Sequence, residues 1–532
     1  MTEVYDQLNK AWKSTCKILF GEEIGELKEY EEWLQRKYVE KLRVEVSAIS
    51  GKKTTMICDE YCKGAKFVSF DEIDFRRQFE PLNINEIKDI DSIVEALQER
   101  FYYSGNIILG NSRFVEGSTN ITDCTYIYNT IMMDYSQYIA YSMYGRRSKF
   151  VFGVYGANDC SYLIKGYYTA NSQRCFEYHW IRSSSDIFYS ANLEGCSDCL
   201  FCFNLSGRRR HIGNLEMQKD TYLSLKKKLL SEIADELKRK KSVPSLIELI
   251  LGLPKKKLEM EVAEPKQIEV RELFDITPIE NAFRNTFKIL LKKDPHNLRD
   301  YEQFLSRKMP ELTTLGPDKT ASSIDIPLLK SYKTMDEIKH RGISWMEAAF
   351  LCKNPRKVDL NDVERLSLHD ISALSEIVFV PLDLRFGKNS NVDKAEICIN
   401  SINCYSGVSF VESKASAFCW WPRESSYVFG STILLSSSFC IGSHNSTKLT
   451  RAFEVDSCTN CSDLYFSHNC DNVHDSIFCF NVKNLKYAIG NAQLQPDQYR
   501  KIKDMLVEQM ADEILKTKQL RYDIFNIGCG KK

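Results

Sequence analysis

From Ser112 onward the chain divides every twelve residues without a gap: SRFVEGSTNITD, CTYIYNTIMMDY, SQYIAYSMYGRR, SKFVFGVYGAND, CSYLIKGYYTAN, SQRCFEYHWIRS, SSDIFYSANLEG, CSDCLFCFNLSG. A second array in the same frame runs from Asn389 to Asn484. The first place of a block is mostly Ser or Cys. The fourth is Val, Ile, Leu, Cys or small, the seventh mostly small, and the tenth mixed but often apolar. A fixed short period with small residues at recurring places predicts a β-solenoid, in which stacked coils bury a narrow core of identical positions. Eight coils of twelve would form a rod of roughly 38 Å at about 4.8 Å per strand. Twelve and twenty-four residues per turn both fit the period.

The cysteines test this lattice. Of nineteen, fourteen lie in the two arrays, and every one falls on place one, four, seven or ten. A reduced thiol is a small, soft hydrophobe suited to a thin interior. Cys196, Cys199 and Cys202 therefore read as packed thiols pointing inward, spaced by the inward period of three rather than by convergence on a metal. Cys58 and Cys62 lie outside the lattice, and two thiols alone lack the further ligands of a metal site; their role is left open. No metal or cofactor is expected.

The two arrays belong to a longer repeat. CLFCFNLSGRRRHIGNLEMQKDTY (199–222) returns as SIFCFNVKNLKYAIGNAQLQPDQY (476–499), offset by 277. Near the start, Lys17-Ile-Leu-Phe20 and Tyr30-Glu-Glu-Trp33 match Lys288-Ile-Leu-Leu291 and Tyr301-Glu-Gln-Phe304, offset by 271. The expected fold class is α+β: a tandem duplication, each copy a helical N-terminal segment followed by a twelve-residue-repeat β-solenoid capped by a C-terminal amphipathic helix. Helical and mixed domains are expected at 1–99 and 274–376, solenoids at 100–214 and 377–491, and a connector at 243–273. The capping helices fall at 215–242 and, with a tail, at 492–532.

Lys+Arg and Asp+Glu are both 72, so net charge makes no global case for nucleic acid or an anionic membrane. No apolar run reaches the roughly 18–20 residues that span a bilayer, and no secretory signal is visible, so the expected location is cytoplasmic. Thiols there stay mostly reduced.

Four constellations bear on function. At the third place, Arg174, Asp186, Asp198 and Arg210, with Arg451, Asp463 and Asp475, predict an outward ladder of ion pairs. The competing reading is a carboxylate pair for glycoside chemistry on Asp186 and Asp198. At the eighth place His444, Asp456 and His468 read as surface polar residues, the competing reading being a metal or proton-relay column. Aromatic residues recur at the third and ninth places of the first array, beside Arg146-Arg147 and Arg208-Arg-Arg-His211. The candidate binding residues are Tyr138, Tyr144, Arg146, Arg147, Tyr162, Tyr168, Trp180, Arg208, Arg209 and Arg210, with no catalytic residue assigned. Rings and guanidinium groups of this kind either pack the helical domain or form a platform for protein, RNA bases or sugar rings.

Ser/Cys-rich coils ending in "CFN…IGN" and a Lys/Glu helix, after "AWKSTCKILFGEEIGELKEYEEWL", resemble the cysteine-rich repeat proteins of uncharacterised archaea and uncultivated bacteria. That resemblance implies architecture and brings no activity. The inward pattern is also similar to the coils of insect antifreeze solenoids, without their Thr-x-Thr ladder.

The expected function is a non-enzymatic scaffold or binding protein presenting two rigid solenoids to a protein or ribonucleoprotein assembly. The alternatives are an RNA- or ribosome-associated factor and a carbohydrate-active enzyme on the solenoid face. A homo-oligomer stays open, and no membrane partner is expected.

Overall fold

The computed structural model describes residues 2–39, 41–83, 87–259, 274–329 and 333–529. Of the expected connector and tail, 260–273 and 530–532 lie outside the described residues. The chain is α+β, and two parallel-stranded ladders dominate it. In the first, strands Lys149–Asn158, Ser161–Ala170, Gln173–Arg182 and Ser185–Glu194 lie side by side, with Val151 opposite Leu163, Leu163 opposite Cys175 and Cys175 opposite Ile187. Each residue faces the one twelve places on. The second ladder repeats this, Cys440 facing Ala452 and Ala452 facing Leu464. Where each ladder begins the step is thirteen, Ile108 facing Ile121 and Arg385 facing Cys398. Each ladder ends by turning back in a short antiparallel pair, His211 with Glu216 and Ala488 with Gln493.

Every third residue in the ladders is left-handed, as in the run Tyr162, Lys165, Tyr168 and Asn171 with φ of 57°, 47°, 52° and 52°. A non-glycine residue there costs about 1–2 kcal/mol, so something must hold each corner. Inward Ser and Cys side chains help do this, at the first place most regularly and also at others, as where Ser142 and Ser190 Oγ take the N–H of Val154 and Cys202. Ser148 Oγ donates to the carbonyls of Arg146 and Ala157 (both 3.0 Å) and accepts the backbone N–H of Cys160, one coil on, at 3.2 Å. The Cys160 thiol in turn takes the N–H of Ser172 at 3.5 Å, and Ser172 Oγ that of Ser184 at 3.2 Å. The second ladder builds the same column through Ser401, Ser413, Ser425 and Ser437. Ser and Cys alternate because both are small, and each can accept one backbone bond and donate another.

The interior of each ladder is a separate apolar cluster made from places one, four, seven and ten. Cys196, Cys199 and Cys202 are 2%, 0% and 0% exposed, with their thiols directed at backbone carbonyls. Helices lie along the ladders. Helix Glu3–Phe20, N-capped by Thr2, packs across successive first-ladder strands, and Lys219–Lys240 packs on it and on strand Arg209–Ile212. Helices Thr277–Leu291 and Pro496–Thr517 repeat this on the second ladder.

The irregular stretches are exchanged between the halves. Apolar residues between Ile90 and Tyr103 join the apolar cluster along the flank of the second ladder, while those between Leu315 and Leu329 and between Met335 and Leu384 join the cluster along the first. Asn481 Nδ2 donates to the Tyr102 carbonyl at 2.7 Å, and its counterpart Asn204 donates to the Phe379 carbonyl at 2.9 Å. Each half therefore completes the flank of the other. One disulfide, Cys62 to Cys529, adds a covalent tie across 467 residues of chain.

Two buried glutamates fix the flanks. Glu177 accepts from Tyr38 Oη (2.9 Å) and Leu246 N (3.0 Å) and faces Lys165, whose ammonium donates to the Trp33 and Arg36 carbonyls. Its counterpart Glu454 accepts from the Arg307 guanidinium and from Ile524 N, with Lys308 and Asp523 facing it.

Two outcomes are expected. Ser148→Ala removes both bonds of one rung and should lower stability by about 1–3 kcal/mol in urea unfolding, while Ser148→Cys should stay close to wild type; equal loss in both would refute the rung. Burial pushes Glu177 and Glu454 up to about 7 from the usual 4.5. An acid with a raised folded pKa ionises first in the unfolded chain, so stability should fall as pH rises from about 4.5 to about 7. Glu177→Gln should flatten that slope, read from melting temperatures across the window.

Candidate binding cleft between the ladders

The ladders meet at their ninth to eleventh places. The meeting point is Tyr144 and Trp421, counterparts 277 residues apart, with ring centroids 5.0 Å apart. Both are left-handed, at φ of 58° and 57°, which turns the ring away from its own ladder. Trp420 adds a third ring 6.2 Å from Tyr144.

The two sides of this seam are filled differently. On one side Tyr168 lies 4.6 Å from Trp180, which is 5% exposed, and Tyr168 also reaches Trp421 at 6.5 Å. On the other side the counterparts of Tyr168 and Trp180 are Asn445 and Ser457. There the rings are replaced by a cavity of about 410 Å³, a size suited to a small ligand. Hydrogen-bonding side chains line it, among them Asn120, Thr122, Thr447, Thr459 and Asn460.

Five charged residues also face the cleft: Asp134, Arg146, Arg423, Asp471 and Lys483. Lys483 lies 3.8 Å from Asp471 and over the Phe75 ring at 4.6 Å, so it is already engaged. Arg146 and Arg423 are themselves counterparts 277 residues apart, and among the described residues neither guanidinium has a hydrogen-bond or ion-pair partner. Arg146 Nε is shut off from solvent without a partner, as is Nε1 of Trp421. Desolvation raises the Asp134 carboxyl, opposed by Arg146 and Arg423. Cys470, also on the wall, has its thiol pushed up to about 11 by burial and is protonated at neutral pH.

The ten candidate residues separate into four places. Tyr144 and Arg146 reach the cleft; Tyr168 and Trp180 fill the closed side of the seam. Tyr138 and Tyr162 stand in a column with Phe114, Tyr126 and Phe150, stacked at 4.7–5.2 Å with planes 4–14° apart. Tyr138 has a ring on each face, whereas Tyr162, at the end of the column, stacks on Phe150 through one face. The arginines lie elsewhere again: exposed Arg147 pairs with Asp159 at 2.6 Å, Arg209 lies 3.5 Å from Asp198, and Arg208 is exposed beside half-buried Arg210 on the last coil. Asp186 is held bidentately by Arg174 at 2.9 and 2.7 Å, and Asp198 also meets Lys226 at 3.2 Å. Arg174 with Asp186 and Arg451 with Asp463 are the ion pairs expected of the third place, whereas Asp198 turns to Arg209 and Lys226 and Arg210 has no ion pair among the described residues.

The eighth-place column corrects the sequence reading. His444, Asp456 and His468 are not at the surface; they are 1%, 0% and 0% exposed. Tyr61 and strand Tyr103–Gly105 lie against Asp456 and His468, and Phe525 lies against His444. Asp456 accepts from Asn445 Nδ2 and His468 Nδ1, both at 2.8 Å. His468 Nε2 accepts the backbone N–H of Ser104 at 2.8 Å, which places the ring proton on Nδ1. With both ring nitrogens engaged, the pair is a clamp for strand Tyr103–Gly105 rather than a proton relay. Burial pushes His444 down to about 3, so it is neutral. Cys58 is a free thiol raised by desolvation, and Cys62 is bonded to Cys529.

Arg423, Trp421, Asn445 and Ser457 escaped the sequence reading. The signal was present: the 277-residue offset that aligns the halves also aligns Tyr144 with Trp421 and Arg146 with Arg423. No family model, curated protein or solved structure matches the chain. Among the described residues no helix is long and apolar enough to cross a membrane.

Changing His468 to Ala strands buried Asp456 and the Ser104 N–H. We expect a loss of about 3–5 kcal/mol, with faster proteolysis around residue 104. Wild-type stability in urea would refute the clamp.

Proposed function

We propose that the chain is a tandem duplication. Each half contributes a β-solenoid of twelve-residue coils closed by its C-terminal helix, with the domain divisions expected from the sequence. The pair acts as a non-enzymatic binding protein, a rigid frame holding a small-ligand cleft at the seam and leaving its outer faces to a macromolecular partner. One observation carries this reading: the seam is packed with Tyr168 and Trp180 on one side and opened by Asn445 and Ser457 on the other. A seam that served only to join two ladders gains by filling both sides, because each buried ring contributes packing that a polar void forfeits. The open side instead sets hydrogen-bonding groups on rigid strands, which is how binding sites are pre-organised. A protonated Cys470 and a clamped His468 favour binding over turnover. The RNA reading loses both base-stacking faces of Tyr138 and one of Tyr162, and retains the exposed arginines near Arg208.

The test is a thermal-shift panel of neutral, cationic and anionic sugars, amino acids and nucleotides. One class should raise the melting temperature by several degrees, since ligand at a hundredfold excess over Kd stabilises by about 2.7 kcal/mol. Ser457→Trp, which refills the cleft, should abolish the shift while keeping the fold. A panel without any shift, or an equal shift in the variant, refutes the reading, and so does turnover of any compound.

A further inference from the structure

The cleft has a charge character that narrows its ligand. Its cationic groups come in two kinds. Lys483 is matched by Asp471 at 3.8 Å and held over Phe75. Arg146 and Arg423, one from each ladder, have no hydrogen-bond or ion-pair partner among the described residues. Three other outward arginines of the ladders find carboxylates on the next coil: Arg147 with Asp159, Arg174 with Asp186 and Arg451 with Asp463. Twelve residues after Arg146 stands Asn158, and twelve after Arg423 stands Leu435, so both are left without that partner.

A guanidinium whose Nε is shut off from water and unpaired is costly unless something completes it. With Asp471 and Lys483 matched, two arginines face one carboxylate, Asp134. One positive charge is left over when Asp134 is ionised. Guanidinium groups recognise carboxylate and phosphate oxygens through paired N–H donors. The remaining lining is mixed: Phe70, Ile107, Met132 and Ile433 are apolar, while Thr447, Thr459, Asn460 and Asn120 form a wall of hydroxyl and amide groups that suits the hydroxyls of a ligand. Trp421 brings an indole N–H without a partner and an aromatic wall beside them.

We propose that the cleft binds a small polyhydroxylated anion of the sugar-acid or sugar-phosphate kind, its charged group between Arg146 and Arg423 and its hydroxyls on the Thr447–Asn460 wall. The inference rests on the binding reading above and adds the chemical class. A single leftover charge favours the carboxylate of a sugar acid, and a phosphate ester offers the same recognition with greater charge.

Calorimetry on the full chain with D-glucuronate, glucose 6-phosphate and glucose tests it. Glucuronate should bind at least tenfold more tightly than glucose, with affinity falling severalfold between low and physiological salt. Arg146→Ala and Arg423→Ala should each weaken binding tenfold or more, while Arg147→Ala, outside the cleft, should not. Glucose 6-phosphate binding alone with the same arginine dependence upholds the anion site and names phosphate as its group. Glucose binding as well as either anion, with no salt effect, overturns the anion inference and leaves the binding reading standing. No binding by any of the three also overturns it, and the wider panel then decides the binding reading by itself. Because an arginine variant could unfold, the salt dependence in the wild type provides a reading that needs no variant.

Discussion

The contact on which this structure depends is a side chain bonding to a backbone one coil away. A parallel ladder pairs its strands but leaves each corner with amide groups that no neighbouring carbonyl reaches. The Ser and Cys side chains of the first place reach them. Ser136 Oγ takes the N–H of Ser148, Ser148 that of Cys160, Cys160 that of Ser172, and Ser172 that of Ser184. With the same bond made at other inward places, as by Ser142 to Val154 and Ser190 to Cys202, this column supports a backbone that turns left-handed at every third residue, at positions filled by Tyr162, Lys165 and Tyr168 as well as by Asn171. Each coil bears several such corners at about 1–2 kcal/mol apiece, and its interior bonds and apolar packing together must exceed that sum. The ladder therefore tolerates any side chain outside and almost none inside.

That division explains what could be read from the sequence. The twelve-residue frame and the inward places were legible because the interior admits only small or apolar residues, so Cys124, Cys160 and Cys196 fall in register. The outward ion pairs were legible too, since residues twelve apart become neighbours, as Arg174 and Asp186 do. The hydrogen-bonding task of the first place was not. Ser and Cys read as small residues, and composition does not distinguish filling from bonding. The corners were hidden for a related reason: Tyr138 and Tyr162 carry no left-handed preference, and only the ladder imposes that conformation on them.

His444, Asp456 and His468 mark a different limit. The eighth place points away from its own interior, so the lattice predicts exposure. It cannot register that the segment around Tyr61 and Ser104, from the other half of the chain, lies over it. The same exchange places Phe379 on Asn204 and Tyr102 on Asn481. Contacts of this range follow no period. They depend on which surfaces remain once both ladders have formed, and no local pattern contains that information. The Tyr144–Trp421 seam belongs to the same class, although the offset between the halves carries a trace of it.

Separation of inside from outside also makes the seam easy to specialise. Places one, four, seven and ten maintain the interior; places nine and eleven meet the other ladder. Exchanging Tyr168 for Asn445 or Trp180 for Ser457 between counterpart positions leaves the interior column untouched, because neither position faces it. The frame keeps its two-fold resemblance at Tyr144 with Trp421 and Arg146 with Arg423, while one side of the seam is packed and the other is polar and hollow. In a compact core, removing two aromatic rings leaves a cavity costing several kcal/mol and invites collapse. Here the strands on either side are fixed by their own ladders, so the space persists. A cavity held open by fixed strands, walled in part by groups able to bond and by two arginines with no hydrogen-bond or ion-pair partner among the described residues, is the form a binding site takes in this architecture.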